Sequence, residues 1–239
     1  MLSNFTNKST VRKEIVYDKK IITIPLIGVI ALSACGNPDN KTDITSPVPK
    51  IDSSSTTFEK EHISSSNIDT STFKSIFESS VFLGDSITDG LHDIDILDEK
   101  NIVSSIGKSI GDAQKNIEQV ANQKPKNIFI LLGLCNLTET KESAVTQYSQ
   151  LIQKIKEKLP DTKINILSIT PERTQKEERY KNINDFNEGF KMIAKKEQVN
   201  FIDLSPIFKD NPDLYVKDGI HFKPEFYPIW LEYLKNQLK

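Results

Sequence analysis

Cysteine is scarce in this sequence, and so are histidine and any excess of basic charge. The 239 residues include two cysteines, Cys35 and Cys135, which are too few and too far apart for a disulfide framework or a zinc-binding pattern. The formal net charge is −2, and no stretch concentrates lysine and arginine as binding to phosphates requires. A small disulfide-stapled scaffold is therefore excluded, and we expect no nucleic-acid partner.

The longest uncharged apolar run covers residues 21–34, directly after Lys19 and Lys20. Crossing a bilayer takes about 20 apolar residues, so this shorter run is typical of the hydrophobic region of a signal peptide. It ends in Leu-Ser-Ala-Cys-Gly at residues 32–36, which resembles the bacterial lipobox. The resemblance implies that residues 1–34 are a signal peptide, that Cys35 is lipidated, and that the protein is anchored to the cell membrane outside the cytoplasm. Because the segment before the run is long for a signal peptide, Val16 is an alternative start site.

Aliphatic residues are sparse between the lipobox and residue 70, where serine, threonine, aspartate, asparagine and proline dominate. Such a segment buries too little apolar surface to offset the entropy of ordering it. We therefore predict a flexible tether over residues 35–70 and one folded domain over residues 71–239.

The predicted domain alternates short apolar runs with helical periodicity. Apolar side chains recur every three or four residues around 110–120, 144–159, 183–194 and 224–238, as on one face of a helix. The intervening runs read as buried strands: Val81–Leu83, Ile102–Val103, Ile128–Leu132, Ile164–Ile169 and Phe201–Leu204. This alternation predicts a three-layer α/β/α, flavodoxin-like domain with about five parallel strands. Ligands of such sheets bind beyond the carboxyl ends of the strands.

One serine follows the first predicted strand and opens a helix. Ser86 lies in Gly84–Thr88, where a helix N-terminus favours developing negative charge. A serine nucleophile also needs a base, and histidine is the base suited to neutral pH. The chemistry of residues 84–88 taken alone does not distinguish a nucleophile from a helix cap.

The chain has three histidines from which to choose this base. His62 lies in the predicted tether, while His92 and His221 each end an Asp-Gly-x-His segment. His92 follows Ser86 by six residues, and a continuing helix would carry it about 9 Å away along the axis. His221 follows the last strand, and Asp218 three residues earlier can orient its ring. We therefore predict a triad of Ser86, His221 and Asp218.

Two segments together resemble a known family. Gly84–Thr88 (Gly-Asp-Ser-Ile-Thr) resembles the first conserved block of the SGNH/GDSL hydrolases, and Asp218–Glu225 resembles their last block. The resemblance spans about residues 79–236 and implies a serine esterase that needs no metal or organic cofactor. It also implies an oxyanion hole formed by the Ser86 and Gly107 N–H groups and an asparagine after the third strand.

The third block departs from the family pattern. Cys135 stands where the resemblance places the asparagine, and Asn136 follows it. Either a small backbone shift lets Asn136 donate to the oxyanion, or the hole relies on backbone donors alone. We favour Asn136, because a polar side chain at a strand end needs a partner.

The resemblance implies hydrolysis of carboxylic esters through an acyl-enzyme. Surface display suggests short acyl groups, such as acetyl, on cell-envelope or environmental glycans as the substrate. Two alternatives remain open: an O-acyltransferase that uses the same triad, and a non-catalytic surface module of the same fold. Oligomeric state is not predicted.

Overall fold

Residues 68–173 and 177–238 are described by the computed structural model. The predicted signal peptide, the alternative start at Val16, the Cys35 lipidation site and most of the predicted tether lie outside the described residues. Just before the predicted domain boundary, the Asp69 side chain accepts a hydrogen bond from the Ser71 N–H and caps a short 3-10 turn.

Five parallel strands form one sheet in the order β2-β1-β3-β4-β5. β3 is central, and β2 and β5 are the edges. The strands are β1 Ser80–Gly84, β2 Ile102–Ser104, β3 Asn127–Leu131, β4 Lys163–Leu167 and β5 Asn200–Ile202.

Among the described residues, eight α-helices connect and cover these strands. The two longest are α5 and α6, both on stretches whose apolar period predicted helices. The helices are α1 Phe73–Ile76, α2 Ser86–Asp89, α3 Ile110–Ala113, α4 Ile117–Gln123, α5 Lys141–Lys158, α6 Ile183–Lys196, α7 Ser205–Asp210 and α8 Phe226–Lys235. The helix predicted around 110–120 is divided into α3 and α4 by a 3-10 turn over Gln114–Asn116.

The hydrophobic core consists of two layers, one on each face of the sheet. Successive strand residues point to opposite faces, so Leu83 packs with α3, α4, α5 and α6, while its neighbour Phe82 packs with α1, α2, α7 and α8. Both faces are covered, which explains why the strands read as continuous apolar runs rather than alternating ones. The predicted three-layer α/β/α architecture is therefore confirmed.

The strand order also locates the region where a ligand is expected. The chain leaves β1 toward β2 on one side and returns to β3 on the other, so the order reverses beside β1. In open parallel sheets the crevice at such a switch point binds ligands. Ser86 begins α2 at the carboxyl end of β1, on the rim of this crevice.

In the part of the chain that the structure describes, no helix has the length and apolar character needed to cross a bilayer.

Candidate active site

A sharp turn between β1 and α2 positions Ser86. Asp85 is extended and caps the helix, with its carboxylate accepting a hydrogen bond from the Ile87 N–H at 3.1 Å. The turn requires glycine at position 84, because a Cβ there would stand 1.9 Å from Thr88 Oγ1 and 2.9 Å from the Leu131 carbonyl oxygen. Ser86 is therefore the first residue of the helix and only partly buried, as a nucleophile must be.

Ser86 is joined to His221 and Asp218 by a chain of hydrogen bonds. Ser86 Oγ lies 2.9 Å from His221 Nε2, and His221 Nδ1 lies 2.7 Å from Asp218 Oδ2. The carboxylate accepts the Nδ1 proton, which leaves Nε2 to accept the hydrogen of the serine hydroxyl. The structure thus brings together the three residues that the sequence singled out.

Asp218 stays ionised beside His221. Burial raises the pKa of its carboxyl, but hydrogen bonds from His221 and from the Ile220 and His221 N–H groups outweigh burial and hold the pKa below its usual value. The two backbone N–H groups donate to Asp218 Oδ1 at 2.8 and 2.9 Å. A carboxylate fixed in this way can stabilise an imidazolium without taking its proton.

The loop that carries His221, residues 214–223, is held in place by its neighbours. Within the loop, Val216 N–H donates to the His221 carbonyl and Lys223 N–H donates to the Leu214 carbonyl. From outside, the segment after β4 contacts it twice: the Tyr215 hydroxyl donates to the Pro171 carbonyl at 2.7 Å, and the Arg173 N–H donates to the Gly219 carbonyl at 2.9 Å. Sequence reasoning did not identify this support, because Pro171 and Tyr215 belong to no recognisable motif.

A second carboxyl group, on Asp85, is buried at the position directly before Ser86 in the sequence. It is 1% exposed, and burial raises its pKa to about 7. The Ile87 N–H and the charges of His221 and Lys108 act in the opposite direction without overcoming burial. Asp85 is therefore both a helix cap and a titrating group close to the reacting atoms.

Gly107 occupies the loop between β2 and α3. Its φ is +75°, a conformation that favours glycine, and a Cβ built there would meet nothing within 4 Å. The residue is exposed, so its N–H belongs to an open loop rather than to the packed core.

Asn136 does not offer its amide to this site. The side chain is fully buried, its Oδ1 accepts from the Ile110 N–H at 3.0 Å, and its Nδ2 donates to Glu139 at 3.0 Å and to Gln147 at 3.3 Å. The oxygen therefore binds the start of α3, and the two amide hydrogens are used by Glu139, just before α5, and by Gln147 within it. The contacts depart from the expectation that Asn136 donates to an oxyanion and indicate a structural residue.

Cys135, the residue at the family's asparagine position, is half-buried and makes no disulfide. Burial and the nearby Asp85 carboxylate raise the pKa of its thiol, while Arg179 acts in the opposite direction. The thiol is therefore protonated at neutral pH, and it is a poor nucleophile in that form.

His92, which ends the first Asp-Gly-x-His segment, is directed away from Ser86. Its Nδ1 lies 2.6 Å from Glu99 Oε2 and its Nε2 lies 3.2 Å from Ser104 Oγ. The glycine of this segment has a packing role: a Cβ on Gly90 would stand 1.8 Å from the Tyr227 hydroxyl oxygen. Within residues 68–173 and 177–238, no three histidine, cysteine, aspartate or glutamate side chains are grouped so that they could hold a metal ion.

Comparisons with known proteins identify a family and a fold. The model of the GDSL-like Lipase/Acylhydrolase family matches residues 82–229. Comparison with curated proteins gives no match.

Solved structures of the same architecture include an acetyl xylan esterase, AlAXEase, with 17% identity, a TM-score of 0.53, and coverage of 67% of this chain and 99% of that one. A lipase/acylhydrolase from Enterococcus faecalis has 17% identity, a TM-score of 0.52 and coverage of 67% and 96%. A member of the lipolytic G-D-S-L family from Veillonella parvula has 15% identity, a TM-score of 0.54 and coverage of 66% and 97%. At these identities the structural similarities establish the fold alone.

Proposed function

We propose that this chain, which belongs to the GDSL-like lipase/acylhydrolase family, hydrolyses esters through an acyl-enzyme formed on Ser86. Ester hydrolysis follows from membership of the family. The assignment of Ser86, His221 and Asp218 to the catalytic roles is our proposal. The observation that carries the assignment is the continuous hydrogen-bond chain from Ser86 through His221 to Asp218.

In this mechanism Ser86 Oγ attacks the carbonyl carbon of the ester while His221 Nε2 takes the hydroxyl proton. Collapse of the tetrahedral intermediate breaks the bond to the alcohol, which leaves with the proton from His221. A water molecule then attacks the acyl-enzyme with His221 again acting as base, and the carboxylic acid and free Ser86 are released. Asp218 orients the ring and stabilises the imidazolium in both halves.

The oxyanion is stabilised by two backbone donors in this proposal. The Ser86 N–H lies at the first turn of α2, where unpaired donors and the helix dipole favour negative charge. The Gly107 N–H is the second donor, as the family pattern implies. Because the Asn136 amide is occupied elsewhere, it does not complete the hole as a third donor. Loss of one such donor typically lowers the rate about 10²–10³-fold, so we expect a slow esterase.

The proposed substrate is a short acyl ester, such as an acetyl group, on a glycan of the cell envelope or the surroundings. Two considerations support it: an acetyl xylan esterase has the same fold, and the lipobox-like sequence at Cys35 would place the enzyme on the outer side of the membrane. Lipid anchoring and this location are likewise part of the proposal.

The test is active-site labelling of the full-length protein with a fluorophosphonate probe, together with hydrolysis of p-nitrophenyl acetate. Wild-type protein should be labelled at Ser86 and should release p-nitrophenol. Ser86→Ala should abolish both, and His221→Ala should lower both to near background, whereas Ser71→Ala, a remote exposed serine, should change neither. Absence of labelling in folded wild-type protein would overturn the proposal in favour of a non-catalytic surface module. Acyl transfer to an added sugar in preference to water would identify an acyltransferase.

A further inference from the structure

The loop that carries Gly107 has almost no packing at its tip. This oxyanion loop, Ser105–Gly107, is exposed throughout, and Ile106 is 80% exposed even though it is a large apolar residue. Nothing lies within 4 Å of the position where a Cβ on Gly107 would stand. The location of the Gly107 N–H must therefore be set by contacts at the two ends of the loop.

The residue at the first end, Ser104, is bound to the helix that carries Ser86. Ser104 is the last residue of β2, and its hydroxyl donates to Asp89 Oδ1 at 2.9 Å. Asp89 is the last residue of α2, the four-residue helix that Ser86 begins. One hydrogen bond thus ties the start of the oxyanion loop to the nucleophile helix.

The residue at the second end, Lys108, is a buried lysine that the ester-hydrolysing steps do not use. It is 5% exposed, and its ammonium donates to the Val103 carbonyl at 3.3 Å. Burial lowers the pKa of this ammonium, while the carboxylates of Asp89, Asp112 and Asp85 favour its charged form, with Asp89 the strongest of the three. Asp89 therefore acts on Lys108 only through its charge, whereas its contact with Ser104 is a direct hydrogen bond.

Ser104 has a second partner, which gives it the appearance of another nucleophile. His92 Nε2 lies 3.2 Å from Ser104 Oγ, and His92 Nδ1 lies 2.6 Å from Glu99, an arrangement like that at Ser86. However, the Asp89 carboxylate can only accept, so the Ser104 hydroxyl hydrogen points to Asp89 and is not shared with His92. His92 therefore does not remove the proton of Ser104.

We propose that Asp89 is a positioning residue that, through Ser104, holds the start of the oxyanion loop against the nucleophile helix and so fixes the Gly107 N–H relative to Ser86. The inference rests on the proposed function, because it concerns the two backbone donors assigned there. Since the Asn136 amide does not complete the hole, the spacing of those donors controls more of the rate than it would in a three-donor site.

The test compares the steady-state kinetics of full-length Asp89→Ala and Asp89→Asn with wild type on p-nitrophenyl acetate. A displacement of about 1 Å in a positioned group can cost ~10²-fold in rate, so Asp89→Ala should lower kcat at least about tenfold with KM changed less than about twofold. Asp89→Asn keeps an acceptor for Ser104 but loses the negative charge, so its kcat should fall between those of wild type and Asp89→Ala. Asp95→Asn, an exposed aspartate paired with Lys74, is the matched control and should keep the wild-type kcat.

A purely structural role would lower thermal stability and the amount of active enzyme, so kcat is expressed per Ser86 that the fluorophosphonate probe labels at completion. On that basis a purely structural role leaves kcat at the wild-type value, whereas the proposed positioning role lowers it. Ser104→Ala removes the same hydrogen bond from the loop side, so it covers the case in which Asp89→Ala does not fold. The double variant should lose no more kcat than the worse single variant, because both break one contact.

If folded Asp89→Ala kept the wild-type kcat while Ser86→Ala was inactive, this inference would be wrong and the proposed function would still hold. Activity in Ser86→Ala equal to wild type would instead overturn the proposed function itself. Fully additive losses in the double variant would also contradict a shared role for Asp89 and Ser104.

Discussion

At the scale of single residues, the direction of the Asn136 side chain decides whether the oxyanion hole has a third, side-chain donor. Whether the Asn136 amide faces the site depends on the 3-10 turn over Leu134–Asn136, which turns that side chain toward Ile110 and Gln147. No sequence pattern encodes the direction of a side chain in such a turn.

The contacts of Asn136 lead to a prediction about stability. Asn136→Ala leaves the buried Ile110 N–H without its acceptor and should lower the free energy of unfolding by about 1–3 kcal/mol. The kcat of the folded fraction should change less than about threefold, because the amide faces away from the oxyanion. Urea unfolding and steady-state kinetics on the same preparation measure the two effects. A ~10²-fold fall in kcat at unchanged stability would instead show that Asn136 donates to the oxyanion.

Cys135 provides the complementary variant. Cys135→Asn restores the amide that the family places at this position and should raise kcat if the half-buried site accommodates the larger side chain. Cys135→Ser, which is polar but too short to replace an amide, is the control and should have little effect. An unchanged kcat in well-folded Cys135→Asn would mean that the position is too far from the oxyanion to matter.

Asp85 makes the stability of the fold depend on pH. Its pKa is raised from 3.8 to about 7 by burial, so the native state binds more protons than the unfolded chain between those two values. The stabilising contribution of the protonated group is therefore present at low pH and is lost as pH rises through the folded pKa.

Asp85→Asn keeps an acceptor for the Ile87 N–H and removes the titration. Between pH 4 and 8 the stability of the variant relative to wild type should rise, by on the order of a few kcal/mol. Chemical unfolding of both proteins across that range measures the difference, and the shared titrations of other groups cancel. A pH-independent difference would mean that Asp85 has an ordinary pKa in the folded protein.

At the scale of secondary structure, apolar periodicity was enough to place every strand and the long helices. All five predicted strands are present, with ends that differ by one or two residues, and α5 and α6 occupy the predicted segments. Periodicity did not predict the 3-10 turn between α3 and α4, because the apolar residues on both sides stay on one face whether or not the helix is continuous. Short local hydrogen bonds decide such a break, and they leave no apolar signature.

Contact between the 3-10 turn at Gly90–Asp93 and α8 limits what residue 90 can be. Gly90 has φ −64° and ψ −12°, which alanine adopts without strain, so the backbone alone does not require glycine. The Tyr227 hydroxyl occupies the space of a Cβ, and Gly90→Ala should therefore destabilise the protein by about 1–3 kcal/mol through overpacking.

The cause of that loss can be separated in a double-mutant cycle. Tyr227→Ala opens the space, so Gly90→Ala should lower the free energy of unfolding much less in the Tyr227→Ala background than in wild type. The double variant should therefore lose less stability than the sum of the two single losses. Gly111→Ala is the matched control: its Cβ would stand 3.0 Å from Gln147 Oε1 and 3.7 Å from Ser109 Oγ, which is a milder approach, and alanine favours the helix. Additive effects of Gly90→Ala and Tyr227→Ala would show that the contact does not determine the cost.

At the scale of the whole molecule, the order of the strands explains why residues far apart in sequence meet. Ser86 and His221 are 135 positions apart, yet each follows a strand of the same parallel sheet, and the carboxyl ends of such strands share one edge. The predicted alternation of strands and helices therefore already implied that these two residues would lie at the same edge of the sheet. The contact between Pro171 and Tyr215, which supports the His221 loop, depends on loop conformation and could be found only from the structure.

The attachment of the domain to a membrane is the remaining prediction, and it depends on Cys35. An acyl chain contributes roughly 0.8 kcal/mol per buried CH₂ group, and one chain alone gives marginal binding, whereas the two or three chains of a lipoprotein cysteine hold a protein stably. Full-length Cys35→Ala, expressed in a bacterium fed labelled palmitate, should therefore accumulate as uncleaved precursor without label. Cys135→Ala is the matched control, since it removes the other cysteine of the chain and should keep both cleavage and label. If Cys35→Ala kept the label and Cys135→Ala lost it, the lipid would be attached to Cys135, at the edge of the candidate active site. That result would contradict a tethered, surface-facing esterase.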